Sequence, residues 1–256
     1  MNVEDEVTAS MIDCASESVT FVVPCYNERD SIVATIAEIE ATAQEIDLSQ
    51  YEILVVDDCS SDDTSTVVAT LLLRKSHLKL IRNPVNLNLG GAYKEGVRHA
   101  HGTYVIMVPG DNSHPYDGIV PILRKAGEAD IVVPYVANPR SRPWRRRLAS
   151  SAFTFLVNRL FGLDLPYFNG LVLHRTRLLQ RIEIKTNSFA YQAEALVRLI
   201  SGGATYCTVP VNIAERAAGH SSAFAPKNIY RVVKTILLLW RDVYRGPKQI
   251  GWRSDP

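Results

Sequence analysis

Two short runs rich in β-branched residues, Val19-Thr-Phe-Val-Val23 and Glu52-Ile-Leu-Val-Val56, each break off into a polar turn and then a stretch with helical spacing. Runs of this length, apolar almost throughout, belong to strands covered on both faces. The first is followed by residues 31–46, where Ile32, Ile36, Ile39 and Ile46 recur at helical intervals, with Ser31 or Asp30 equally suited to cap them. The second is followed by a helical stretch over 60–73. The alternation continues with a strand at 78–81, a helix at 91–100 and a strand at 103–108, then further strands at 130–135 and 170–174. Such alternation implies an α/β fold, a mainly parallel sheet with helices on both faces. The later part is more helical, over 145–161, 188–200 and 227–244, and no Pro/Gly/Ser-rich linker divides the chain. The expected organisation is a flexible arm over 1–18, one α/β domain over 19–225, and a C-terminal amphipathic helix and tail over 226–256.

In sheets of this kind ligands bind at the carboxyl ends of the strands. Here those ends carry Tyr26-Asn27-Glu28, Asp57-Asp58 and Asp111, three polar clusters that the topology turns toward one crevice. Pro24 cannot continue a central ladder, so the chain turns there and can lay its backbone against a flat ligand. Tyr26 offers a ring and a hydroxyl, and Glu28 an acceptor for ribose hydroxyls or a base edge; a plain strand-to-helix turn is the alternative. Two adjacent carboxylates closing a buried strand are costly unless they hold donors or a cation. Asp58 suits the N–H groups of a base and Asp57 the organisation of the turn, while Asp62 and Asp63 read as charges at a helix start.

Composition narrows the partners. The 256 residues are 46% hydrophobic and 21% charged, ordinary for a globular chain, and the formal net charge of +1 argues against a nucleic-acid partner. Cys14, Cys25, Cys59 and Cys207 form no CxxC pair, and no leader-like segment opens the sequence, so reduced thiols in a cytoplasmic protein are expected. No stretch approaches the ~18 to 20 apolar residues that cross a bilayer. His77, His99, His101 and His174 lack metal-ligand spacing and are assigned to surface or core.

The segments VPCYNE, VVDDCSSDDT, NLNLGGA and GDNSHP, in this order and spacing, resemble the family 2 glycosyltransferases of GT-A fold. Within that group the chain is most similar to dolichyl- or polyprenyl-phosphate sugar transferases, over about residues 19–220. The resemblance implies nucleotide binding by Pro24, Tyr26, Asn27, Glu28, Asp57, Asp58, Gly90 and Gly110. Asn88 stands where the family's NLGxGGA turn has Gly, a mild change because Asn tolerates left-handed backbone. The family's Asp-x-Asp is reduced here to Pro109-Gly110-Asp111. A diphosphate brings oxygens of its own, so Asp111, supplemented by Ser113, is expected to hold Mg2+ or Mn2+.

Further motifs bear on the acceptor. Phe189-Ala-Tyr-Gln-Ala-Glu194 resembles the FxxQxE pattern of the polyprenyl-phosphate enzymes, which makes Gln192 and Glu194 candidate catalytic residues together with Asp111 and Arg216. Two residues apart on a helix, Gln192 and Glu194 cannot share a face, so one orients the site and the other is structural. Arg216-Ala-Ala-Gly-His-Ser221 resembles the RxxGxS loop that closes over the diphosphate, with Ser222 in place of the usual Lys. The basic cluster 140–147 suits a lipid phosphate: Arg147 and Ser150 match the family's Arg-x-x-Ser, Arg140 or Arg142 substitutes for a missing Ser-Arg pair, and Ser221 completes the acceptor set. The basic amphipathic stretch 227–244 fits packing on its own domain, a membrane surface, or a homodimer contact. The resulting expectation is an inverting transferase moving a sugar from a UDP- or GDP-linked donor to a polyprenyl phosphate, peripheral at the cytoplasmic face of a membrane. A hydroxyl acceptor with Glu194 or another carboxylate as base, and a non-catalytic nucleotide-sugar-binding protein, are the alternatives.

Overall fold

The computed structural model of the chain describes residues 17–112, 118–138, 143–212 and 226–245. The first half follows the expected alternation. β1 (Val19–Cys25), α1 (Ile32–Glu45), β2 (Tyr51–Asp57), α2 (Thr64–Leu72), β3 (Leu78–Arg82), α3 (Leu89–Arg98) and β4 (Tyr104–Met107) succeed one another. β1 lies between β2 and β4, parallel to both, and β2 pairs parallel with β3. Side chains alternate between two cores. Phe21, Val23, Ile53, Val55 and Ile106 enter one with α1 and α2, while Val22, Leu54, Val56, Val105 and Met107 enter the other with α3. Burial on both faces is why these strands read as unbroken apolar runs.

The second half is less regular. After a one-turn α4 (Val120–Leu123) come β5 (Ile131–Val136), α5 (Trp144–Phe161), β6 (Leu173–Arg175), α6 (Thr176–Arg181), α7 (Tyr191–Ser201), β7 (Tyr206–Val211) and α8 (Pro226–Arg245). The described residues form one seven-stranded sheet in the order β3-β2-β1-β4-β6-β5-β7. β6 runs antiparallel to both β4 and β5, so β5 points the same way as β1 and β4. The carboxyl ends of β1, β2, β4 and β5 therefore share one edge. β7, α4 and α6 were not expected from the sequence; β7 carries Pro210, which its edge position beside β5 tolerates. α8 buries Ile236 and Leu239 in the α3 core with Trp240 and Val243 against it, which is the packing alternative for this stretch. Among the described residues no helix is long and apolar enough to cross a membrane.

Candidate active site at the carboxyl edge of the sheet

Three strand ends are locked together by backbone bonds. Asp58 N donates to the Cys25 carbonyl at 2.9 Å, and Gly110 N donates to the Pro24 carbonyl at 3.0 Å. β2 and the tip of β4 thus flank the end of β1, which continues through Pro24 to Cys25 where the sequence predicts a turn at Pro24; the turn begins at Tyr26. Gly110 has no alternative here, since a Cβ would stand 2.8 Å from Cys25 Cβ and 3.2 Å from the Pro24 carbonyl oxygen. Thr35 of α1 completes the join. Its hydroxyl donates to Gly110 O at 3.0 Å and accepts from Asn112 N at 3.1 Å, which fixes the backbone on both sides of Asp111.

Each turn residue has a distinct environment. Tyr26 is half exposed at the tip. Asn27 adopts φ +57°, its N–H bonded to Ser60 Oγ at 2.9 Å and its carbonyl Oδ1 accepting from Ser61 N at 2.8 Å. Glu28 N donates to Thr64 Oγ1, and Ser31 Oγ donates to Glu28 Oε2 at 2.6 Å. Burial raises the Glu28 carboxyl above its ordinary range; the Ser31 hydroxyl opposes this, and the Asp111 and Asp62 charges add to it. Asp111 is exposed, yet near enough for its charge to be felt at Glu28.

The two adjacent carboxylates do different work. Asp57 is wholly buried and organises the turn: Oδ1 accepts from Ser60 N at 2.9 Å, and Oδ2 takes the Ser65 hydroxyl and Arg82 Nε. Asp58, 3% exposed, spends Oδ1 on Asn83 Nδ2 and Leu87 N, each at 2.8 Å, and so staples the 83–87 segment across the end of β2. Asp62 accepts from Thr64 N at 2.9 Å and belongs to the helix start, as expected. Sequence reading gave no role to Ser60, Thr35, Asn83 or Asn86, whose amide donates to Asp58 O at 3.2 Å; Ser60 and Asn86 stood inside motifs that marked their neighbourhoods, and Thr35 and Asn83 did not.

The 86–92 turn is held from the opposite side. Gly90 N donates to Asn187 O at 3.2 Å, and a Cβ on Gly90 would meet the Asn187 carbonyl carbon at 2.9 Å. Asn88 has φ +63° and ψ 170°. This corrects the expectation of a mild change, because the backbone lies beyond the left-handed helical well that Asn tolerates.

Gln192 and Glu194 are both buried and committed. Gln192 Nε2 lies 2.8 Å from His174 Nε2 inside the core. Glu194 accepts from Lys185 N and Thr186 N at 3.0 Å and pairs with Arg198 at 2.7 Å. The two residues expected to be catalytic are thus engaged with His174 in one case and with two backbone N–H groups and Arg198 in the other. Arg147 and Ser150 do come together, lining a hollow of about 480 Å3 with Tyr135, Val136, Asn158 and Tyr167 at the end of β5. Ser113, Arg140, Arg142, Arg216 and Ser221 lie outside the described residues.

An exposed carboxylate at a strand tip, with a second carboxyl close enough to feel it, is an oxygen donor set suited to a hard divalent ion. No group of three His, Cys, Asp or Glu side chains poised for a metal occurs among the described residues. An ion at Asp111 would therefore complete its shell with ligand oxygens and water, as Mg2+ commonly does.

The Glycosyl transferase family 2 model matches residues 20–188. Undecaprenyl-phosphate 4-deoxy-4-formamido-L-arabinose transferases of Sodalis glossinidius (strain morsitans) and Edwardsiella ictaluri (strain 93-146) are each 26% identical to the chain, over 227 and 226 residues. The alignments cover 88% and 87% of this chain and 66% of each relative, so the chain spans just under two thirds of their length. Glucosyl-3-phosphoglycerate synthase from Mycobacterium tuberculosis, crystallised with Mn2+, uridine diphosphate and phosphoglyceric acid, superposes with a TM-score of 0.65 at 16% identity. That match covers 90% of this chain and 81% of the other. At this identity the likeness is one of fold, the GT-A arrangement.

Proposed function

The chain belongs to glycosyl transferase family 2, and on that premise we propose that it is an inverting enzyme transferring one sugar from a UDP- or GDP-linked donor to a polyprenyl phosphate. What carries the reading is the meeting, on one sheet edge, of the Pro24–Glu28 segment, Asp57-Asp58 and Gly110-Asp111, with the Arg147–Ser150 hollow at the end of β5 on the same edge.

In this reading the Tyr26 ring stacks on the base and Glu28 accepts from donor hydroxyls. Asp58 offers the base N–H groups the oxygen that the 83–87 segment leaves free. Gly90 and Gly110, packed against Asn187 and Cys25, hold the backbone beside the diphosphate in place. Bound at Asp111, Mg2+ or Mn2+ supplies charge neutralisation for the diphosphate leaving group. The acceptor phosphate lies against Arg147 and Ser150, and one of its oxygens attacks the sugar C1 from the face opposite the leaving diphosphate. The C1–O bond breaks as the new one forms, and its electron pair leaves on the diphosphate.

An ionised phosphate needs no general base, whereas a hydroxyl acceptor does. Glu194, the carboxylate considered for that duty, is held by two backbone N–H groups and Arg198, which favours the phosphate acceptor. The relatives named for undecaprenyl phosphate point the same way, and such an acceptor places the work at a membrane surface, in this reading the cytoplasmic face.

Purified protein with Mn2+, radiolabelled UDP- and GDP-sugars and undecaprenyl phosphate provides the test. Label is expected to enter the organic phase only when the lipid phosphate is present. Asp111→Ala is expected to lower turnover by roughly 100-fold or more, the scale of lost electrostatic stabilisation. Transfer to a free sugar without lipid phosphate would replace this reading with the hydroxyl acceptor. Nucleotide binding without turnover on any donor would reduce the chain to a binding protein.

A further inference from the structure

A second cavity, of about 440 Å3, opens between the 185–188 segment, α7 and α8, and neither Glu28, Asp57, Asp58 nor Asp111 lines it. Its walls are strongly cationic: Lys185, Arg198, Arg231, Lys234 and Arg241 face only two carboxylates, Glu194 and Asp242. Those carboxylates are already engaged. Buried Arg198 lies 2.7 Å from Glu194 and 3.3 Å from Asp242, and Lys185 Nζ donates to Asp242 at 2.7 Å. Arg241 reaches the same Asp242 at 3.6 Å. Arg231 and Lys234 pair with no carboxylate among the described residues. They stand three residues apart on the cavity face of α8, the spacing that sets two side chains side by side.

Hydroxyls complete the wall. Thr235 Oγ1 donates to Thr186 Oγ1 at 3.2 Å, and Thr186 Oγ1 lies 2.8 Å from Ser188 Oγ, so a chain of hydroxyls joins α8 to the 185–188 segment. Leu238 and Leu239 supply low-dielectric surface beneath the charges. A concave site with surplus charge of one sign and apolar walls concentrates counter-ions. A guanidinium fork, an ammonium group and hydroxyls are the donors that phosphate oxygens accept from. Gathered at one mouth, they describe an anion site.

We infer that this cavity binds a phosphate group through Arg231 and Lys234, carried either by a soluble phosphate ester or by a phospholipid headgroup, and separately from the donor nucleotide. The inference does not rest on the transfer reaction proposed above. It rests on Arg231 and Lys234, which pair with no carboxylate among the described residues and stand on one wall of an open cavity.

Two probes separate the sources. Sodium phosphate, compared with sodium chloride at equal ionic strength, is expected to raise the melting temperature by about 2 °C for a soluble ester. Vesicles of phosphatidylcholine containing phosphatidylglycerol are expected to bind more tightly than phosphatidylcholine alone for a headgroup. Arg231→Gln with Lys234→Gln is expected to abolish the first effect or weaken the second roughly 30-fold. Arg74→Gln with Arg124→Gln removes equal charge from the face carrying α1, α2 and α4, and is expected to preserve both. A response to inorganic phosphate identifies a soluble ester, and a response to vesicles alone identifies a headgroup. Equal behaviour of the wild type and the α8 variant toward both probes would overturn the site. Displacement of phosphate by saturating UDP would overturn it too, by making the cavity the far end of the donor site.

Discussion

Asn88 holds φ +63° and ψ 170° immediately before α3, a combination that costs most residues about 1 to 3 kcal/mol and glycine little. Its side chain, which lines the cationic cavity, caps no helix N–H. Asn88→Gly is therefore expected to stabilise the fold by about 1 kcal/mol once glycine's greater unfolded-state freedom is subtracted. The urea midpoint should rise with the slope unchanged; a lower midpoint would mean that the side chain matters more than the torsion. Positive φ at this residue was legible, since asparagine replaces a glycine of a Gly-rich turn, but the close approach of Asn187 to Gly90, nearly a hundred residues away in sequence, was not. The same holds for the acidic pair. That Asp57 and Asp58 had to find donors was readable from the expense of burying them. That Asp58 finds Asn83 and Leu87 was not, because nothing local in an asparagine announces its partner.

At the scale of elements, the strands with two buried faces were legible and the rest were less so. β1, β2 and β4 declare themselves by composition, whereas β6 is three residues long and its direction depends on what precedes and follows it. Six-residue β7 turns Cys207, Val209 and Val211 toward the core and leaves Tyr206, Thr208 and Pro210 exposed, an alternation masked in the sequence by a proline that only an edge strand accepts. The packing of α7 on β6 has a consequence in acid. His174 is fully buried on β6, and burial pushes its imidazole down to about 3 from an ordinary 6.5. The Gln192 amide bonded to Nε2 suits the neutral ring, and Nδ1 has no partner among the described residues. Folded protein therefore keeps His174 neutral, while the unfolded chain takes up a proton below pH 6.5. Stability attributable to this group is complete above pH 6.5 and falls as pH drops toward 3, by up to about 1.4 kcal/mol per pH unit. Between pH 7 and pH 5 the loss should approach about 2 kcal/mol. His174→Gln, which can still accept from Gln192, should be less stable at pH 7 but flatter in this window. Identical pH slopes for the variant and wild type in urea titrations would exclude His174 as the group responsible.

Over the whole molecule, function depends on which strand ends share an edge, and that depends on a double reversal. β6 runs against β4 and β5 runs against β6, so the end of β5 returns to the edge where β4 delivers Asp111. With β6 alone between them, β4 and β5 lie two strand spacings apart, roughly 10 Å. An acceptor phosphate held by Arg147 and Ser150 in the β5 hollow would thus lie on the same edge as a diphosphate at Asp111, with one strand between them. Arg147 and Ser150 were visible in the sequence, but their separation from the turn after β1 was not, because that separation follows from sheet order and not from residue spacing. If the two sites are neighbours and separate, their variants must separate kinetically. Arg147→Ala should raise KM for lipid phosphate, or lower kcat/KM, by roughly 10- to 100-fold, the range of a lost charge-assisted hydrogen bond. Arg147→Lys should recover part of this, since it keeps the charge and loses the planar fork. UDP affinity measured by calorimetry should be unchanged in both variants. A parallel fall in UDP affinity would assign the hollow to the donor, and the acceptor would then have to approach from the other side of β4.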